Sequence, residues 1–262
     1  MRAYVVDVFA ETAFRGNPAG VVLLAGAADE GWMQSVAGEL NQTATAFVDV
    51  SGAEDAPKPL RWFSPTTELA LCGHGTLASA HVLGGDQSFE TRSGTLTCSA
   101  GPDGSVRTEL PADPSRPEVP SEELLAGLPG VTVRSTWRGR HDVLVEAGSA
   151  DEVRSLRPDL AMLARVSARG VVVTAPGDNG RSDVVSRFFA PNAGIPEDPV
   201  TGSAHCTLAS WWCPRLGVGE FLAEQASERG GMLRVRLDGD QVSLAGHAVT
   251  IFSGRLHTSP HT

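Results

Sequence analysis

The chain is short of lysine, of paired cysteines and of long apolar runs, and each shortage removes a class of function. Lys58 is the single lysine among 21 basic residues, and no run of Lys or Arg marks a nucleic-acid or anionic-membrane surface. The four cysteines, Cys72, Cys98, Cys206 and Cys213, form no CxxC pair and match no zinc spacing, so reduced thiols and no metal are expected. No apolar stretch approaches the roughly 20 residues of a membrane-spanning helix, and residues 1–10 are too short and too charged for the apolar core of a secretion signal. The expectation is a cytoplasmic protein with no nucleic-acid or membrane partner. The net charge of −10 then serves solubility.

What the chain does have is one short motif written twice. Arg61-Trp62-Phe63-Ser64-Pro65 is followed by Cys72-Gly73-His74-Gly75 and Thr76-Leu77-Ala78-Ser79. Arg187-Phe188-Phe189-Ala190-Pro191 is followed by Thr201-Gly202-Ser203 and Thr207-Leu208-Ala209-Ser210. The offset, 187 − 61 = 126, is close to half of the 262 residues, which predicts two related halves whose facing surfaces make a cleft. Residues 111–121 carry four prolines and few apolar side chains, and place the boundary. The halves are then 1–115 and 116–262, with a strand near 250–258 as a candidate addition to the first.

Local patterns are mixed. Short β runs are predicted at 5–8, 21–24, 45–50 and 60–63, and a meander over 89–110 with Ser93-Gly94 and Asp103-Gly104 as turns. The spacing of Trp32, Met33, Val36, Ala37 and Leu40 predicts a helix capped by Asp29, and 73–83 reads as a buried helix. The second half repeats the order: strands near 132–146, a helix over 151–165, strands at 170–175 and 183–189, a glycine-led helix, then strands at 232–237, 241–245 and 248–252. The fold class is α+β, with two pseudo-symmetric halves.

A helix whose first turn is glycine-rich offers unpaired backbone N–H groups and the positive end of its dipole, which suits a carboxylate or phosphate. Gly73-His74-Gly75 and Thr201-Gly202-Ser203 both fit. His74, between two glycines, is poorly placed for core packing and is a functional candidate. Glu197 and Asp198 either compensate the helix dipole or aim a carboxylate at substrate. His81 and His205 sit deeper in their helices and read as core residues. Cys72 is either packing or a low-pKa thiol at a helix start.

Residues 6–22, 39–48, 61–83 and 186–212 together resemble the PhzF-like isomerase family of phenazine biosynthesis, in order and over nearly the whole chain. The resemblance implies a diaminopimelate-epimerase-like fold, each half a curved, mostly antiparallel sheet around a central helix, with the active site between the halves. It also implies a cofactor-free enzyme and a homodimer. Gly73, His74, Asp198, Gly202 and Ser203 match positions that line the family's cleft; His74 and Asp198 are the expected proton carriers, and Gly73, Gly202, Ser203 and Asn17 the expected substrate-binding residues. The family's principal acid/base is a glutamate in a block of the form N-L-S-E-T-A-F. Here the block reads Asn41-Gln42-Thr43-Ala44-Thr45-Ala46-Phe47, so Ala44 replaces it. Cys72-Gly73-His74-Gly75-Thr76 also looks like the first motif of proline racemases, but their second cysteine has no counterpart in Asp198-Pro199-Val200-Thr201-Gly202. The implied function is a proton-moving isomerase for a small carboxylate-bearing, unsaturated or cyclic metabolite of secondary metabolism. The alternative is an inactive relative that binds a small ligand or a partner.

Overall fold

The computed structural model describes residues 1–178 and 180–260. The chain forms two compact units, Met1–Glu109 with the segment from Ala245 on, and Leu110–Leu244. The division falls just ahead of the proline-rich segment, and the described residues from Ala245 on join the first unit, a longer segment than a strand near 250–258.

The first unit contains β1 (Arg2–Val8), β2 (Asn17–Leu24), α1 (Glu30–Leu40), β3 (Ala44–Asp49), β4 (Lys58–Phe63), β5 (Glu68–Leu69), α2 (Gly73–Leu83), β6 (Gly85–Thr91), β7 (Gly94–Ala100) and β8 (Ser105–Pro111). Parallel β2 and β3 sit in register from Ala19↔Ala44 to Leu24↔Asp49, and β4 pairs with β3 and with β6. Strand β7 joins β6 to β8. The last strand of the chain, Gln241–Arg255, pairs with β1 and with β8, and the Ala248 amide donates to Gly104 O at 2.8 Å. The ladder therefore closes into a barrel.

Strand alternation divides this sheet into two faces. Val22, Leu24, Phe47 and Phe63 pack outward against Trp32, Met33, Val36 and Ala37 of α1. Asp29 caps α1 as its position predicts, accepting from the Trp32 amide at 2.9 Å. The other face surrounds α2, whose residues Gly75–Ala80 are all buried. A helix apolar on every side has no solvent face to present, which is why it occupies the interior. Its polar side chains are satisfied locally: Thr76 donates to Cys72 O at 2.7 Å and Ser79 to Gly75 O at 2.8 Å.

The second unit contains β9 (Arg116–Pro117), α3 (Glu122–Gly127), β10 (Ser135–Arg138), β11 (Asp142–Glu146), α4 (Ala150–Ser155), α5 (Leu160–Leu163), β12 (Gly170–Pro176), β13 (Val184–Ala190), β14 (Ile195–Asp198), α6 (Gly202–Leu216), β15 (Glu220–Gln225) and β16 (Gly231–Asp238). The final strand, β17 (Gln241–Arg255), begins here and ends in the first unit. Pairing runs β9, β10, β11, β12, β13, β15, β16, with β11–β12 and β13–β15 parallel and β14 also on β13. One face of β11–β13, including Val143, Val145, Val171, Val173 and Phe189, packs on α3, α4 and α5. The other face meets α6, where the Trp212 indole N–H donates to Thr174 Oγ1 at 3.0 Å. Cover on both faces explains the unbroken apolar run of β12.

Several sequence expectations change. The helix over 151–165 is two short helices, because Pro158 lacks an amide donor and Asp159 starts a new helix by accepting from the Ala161 and Met162 amides. The strands at 241–245 and 248–252 are one, β17, while β15 and α3 have no counterpart in the sequence reading.

The internal repeat is structural as well as textual. Arg61 forks onto Glu68 (Nε–Oε1 2.7 Å, Nη2–Oε2 2.9 Å), and its guanidinium lies 5.2 Å from the Phe63 ring centroid. Arg187 forks onto Glu197 (2.7 and 2.8 Å) and lies 5.0 Å from Phe189. Each half thus builds the same ion pair next to the same kind of aromatic ring.

Candidate active site

In the first unit, Cys72 precedes the first turn of α2 and its Sγ accepts the Gly75 amide at 3.4 Å. The His74 ring projects from that turn, with Nε2 3.1 Å from Thr43 Oγ1. Thr43 stands one residue before β3, and its hydroxyl also lies 2.6 Å from Pro18 O and 2.8 Å from Asn17 Oδ1. A hydroxyl has one proton to give, and both of these oxygens are acceptors. The group is satisfied when Thr43 donates to an oxygen and His74 Nε2–H donates to Thr43. Nδ1 then carries the lone pair, 3.6 Å from Cys72 Sγ. Burial pushes the His74 imidazole down from 6.5 to about 4, so the ring is neutral at physiological pH.

The structure therefore brings Asn17, Gly73 and His74 together at one end of the barrel, through Thr43. Ala44 follows Thr43, is fully buried, and sits on the α2 side of β3, opposite the face that carries Phe47. A Cβ at Gly73 would meet nothing within 4 Å, whereas one at Gly75 would lie 2.9 Å from Trp62 Cδ1 and 3.0 Å from Cys72 Sγ. Packing requires glycine at 75 and not at 73.

In the second unit, Thr201 precedes α6 and donates from Oγ1 to Asp198 Oδ2 at 2.5 Å. Buried Gln225 ties the turn: its Oε1 accepts the Thr201 amide at 2.8 Å and its Nε2 donates to Asp198 O at 2.7 Å. Ser203 Oγ accepts from Arg169 Nη2 at 3.0 Å. Arg169 forks onto buried Asp142, with Nε to Oδ1 at 2.9 Å and Nη2 to Oδ2. Burial is the largest single effect and works against the Arg169 charge, but the Asp142 hydrogen bonds together with the attraction of Asp142, Asp198 and Asp113 outweigh it, so its pKa is raised.

Asp198, Gly202 and Ser203 thus share one turn. Glu197 does not join them, since both its oxygens are held by Arg187. His205 is fully buried and bonded through Nδ1 to Thr201 O at 2.8 Å, with its pKa driven down to about 4 by burial. Sequence reading missed Thr43, Arg169, Asp142 and Gln225, which lie far along the chain from the residues they hold. A cavity of about 490 Å³ on β6–β8, lined by Lys58, Asp86, Gln87, Cys98 and Arg107 among others, includes none of these site residues, so the chemistry outweighs its size.

The architecture, a mixed sheet closing into a barrel with few helices, is the diaminopimelate-epimerase-like fold. The sequence model for phenazine biosynthesis-like proteins matches residues 6–254, and the chain belongs to this PhzC-PhzF family. An uncharacterised isomerase of Halalkalibacterium halodurans is 43% identical, with 97% of each chain covered. One of Pseudomonas aeruginosa is 47% identical, again with 97% of each covered. The crystal structure of a PhzF-family protein from Enterococcus faecalis superposes with a TM-score of 0.92 at 35% identity, covering 98% of this chain and 99% of that one. Among the described residues no helix is long and apolar enough to cross a membrane.

Proposed function

We propose that this chain is a cofactor-independent isomerase that moves a proton on a small carboxylate-bearing, unsaturated or cyclic metabolite of secondary metabolism. The observation that carries the reading is that each half holds one titratable side chain in place at the start of a glycine-led helix, His74 in the first turn of α2 and Asp198 just ahead of α6. His74 is oriented by Thr43 and Asp198 by Thr201. In the reaction, backbone N–H groups near Gly73 and Gly202, with the Ser203 hydroxyl, stabilise the charge that spreads into an enolate or dienolate. His74 Nδ1 and the Asp198 carboxylate are the proton acceptors. The group that accepts exchanges its proton with solvent and delivers a proton to a different carbon, so the proton count balances and no external acid is consumed. The family resemblance extends the proposal to a cytoplasmic homodimer.

A second reading, binding without catalysis, is favoured by Ala44. A buried methyl group occupies the place where the family resemblance puts a glutamate, and general acid/base groups typically contribute about 100- to 10,000-fold. Incubating the protein in D₂O with dienoic and cyclic amino acids, and following the substrates by NMR, separates the two. Deuterium uptake supports the isomerase. Ligand binding with no uptake across the panel supports the second reading.

A further inference from the structure

The internal repeat reaches further than its matching letters. Thr43 and Arg169 are 126 residues apart (169 − 43), the same offset as Arg61 and Arg187. Each stands one residue before the buried strand of a parallel pair, ahead of Ala44↔Ala19 in one half and Gly170↔Asp142 in the other. Each side chain reaches the second residue of its glycine-led helix, His74 or Ser203. One contact has been built twice, ending in a neutral hydroxyl on a proton carrier in the first half and in a cation on a hydroxyl in the second.

We propose that Arg169 is the residue that reads the substrate's carboxylate, with Ser203 as its partner donor. A guanidinium has five N–H groups. Three are used here: Nε and one Nη2 hydrogen on Asp142, and the other Nη2 hydrogen on Ser203 Oγ. Both Nη1 hydrogens are without a protein partner among the described residues, and the side chain is 40% exposed. Arg187 shows the opposite pattern. Its Nη1 donates to Leu156 O at 2.6 Å and its side chain is 10% exposed, as suits a structural ion pair.

The open edge of Arg169 is also held still. The fork fixes it from one side, and its guanidinium carbon lies 5.6 Å from the Phe188 ring centroid. Because Ser203 Oγ accepts from Arg169, the serine's own proton is directed elsewhere and is a second donor. The charges limit the ligand. The two open Nη1 hydrogens fit a carboxylate, while the negative charge of Asp142, Asp198 and Asp113 around Arg169 opposes each further charge on the ligand, so a monoanion is accommodated in preference to a phosphate dianion.

The inference rests on the carboxylate-bearing substrate of the proposed function, but its test reads binding and not turnover, so either can fail alone. The full chain is titrated with benzoate, benzamide and inorganic phosphate while the Arg169 side-chain and Ser203 amide resonances are followed by NMR. Benzoate is expected to move both, benzamide and phosphate neither. Arg169→Met is expected to weaken benzoate binding about 10- to 100-fold. Since that change strands buried Asp142, the double variant Arg169→Met with Asp142→Leu provides the same comparison without an unpaired carboxylate, and Arg169→Lys is expected to recover part of the affinity. The proposal is overturned if benzoate leaves Arg169 and Ser203 unmoved, if benzamide or phosphate binds as well as benzoate, or if the folded double variant keeps wild-type affinity.

Discussion

Thr43 Oγ1 lies 3.1 Å from His74 Nε2, and the two carbonyl oxygens on the far side of that hydroxyl make His74 the donor in the pair. Nδ1 is thereby left as the basic nitrogen. The tie sets both the tautomer and the direction of the ring.

Removing the tie should misorient the base without emptying the site. Thr43→Val is expected to lower kcat for deuterium exchange by about 10- to 100-fold with little change in KM. It should cost about 1 kcal/mol of stability. Thr43→Ser should restore most of the rate, measured by steady-state kinetics beside urea denaturation.

The glycines of α2 separate packing from function. Gly75→Ala drives a methyl group into Trp62 and Cys72, and should destabilise the fold by roughly 1–3 kcal/mol. Gly73→Ala meets open space and should leave Tm unchanged while weakening ligand binding. Thermal melts with and without ligand check both.

Two buried histidines set the acid response. His74 and His205 are both pushed down from 6.5 to about 4, so the unfolded chain takes up protons near 6.5 and the folded chain only near 4. Stability is full above 6.5 and falls as the pH drops through that window towards 4. Urea midpoints across the window should show this slope, and His74→Gln should flatten it. With neutral His74 as a base, kcat/KM should hold its plateau below 6.5 and fall only as the pH approaches about 4.

The repeated ion pairs differ in depth. Arg187 and Glu197 side chains are 10% and 23% exposed, while Arg61 and Glu68 are 27% and 16% exposed, and only Arg187 adds carbonyl partners on its Nη1. Glu197→Ala leaves a nearly buried guanidinium unpaired and should cost on the order of 3 kcal/mol. Glu68→Ala should cost less. Chemical denaturation of the two variants decides the order.

What the sequence revealed followed the range of the interactions involved. Asp29 and the apolar stripe of α1 act within one turn, so pattern alone located the helix and its cap. The buried α2 and the textual repeat were legible for the same reason. Pro158 splits the helix expected over 151–165, because it lacks an amide donor and Asp159 caps a second helix behind it. Arg169 was not legible, because its role depends on Asp142 and Ser203, 27 and 34 residues away, and no shared letter links it to Thr43. Glu197 and Asp198 are adjacent acids. Only the fork on Arg187 tells the structural one from the candidate.

Ala44→Glu tests whether the rest of the first site is competent. The new carboxylate is buried beside α2, which raises its pKa and lowers stability. Exchange of a phenazine-type cyclohexadiene substrate should nevertheless rise by about 100-fold or more. No rise would mean that the surrounding pocket has been reshaped.

The most direct measurement is solvent deuterium uptake by one substrate, compared among wild type, His74→Ala and Asp198→Asn at equal protein concentration. Uptake by the wild type is expected, with a loss of at least about 100-fold in each variant and both variants folded. Wild-type rates in both variants would rule out His74 and Asp198 as the proton carriers.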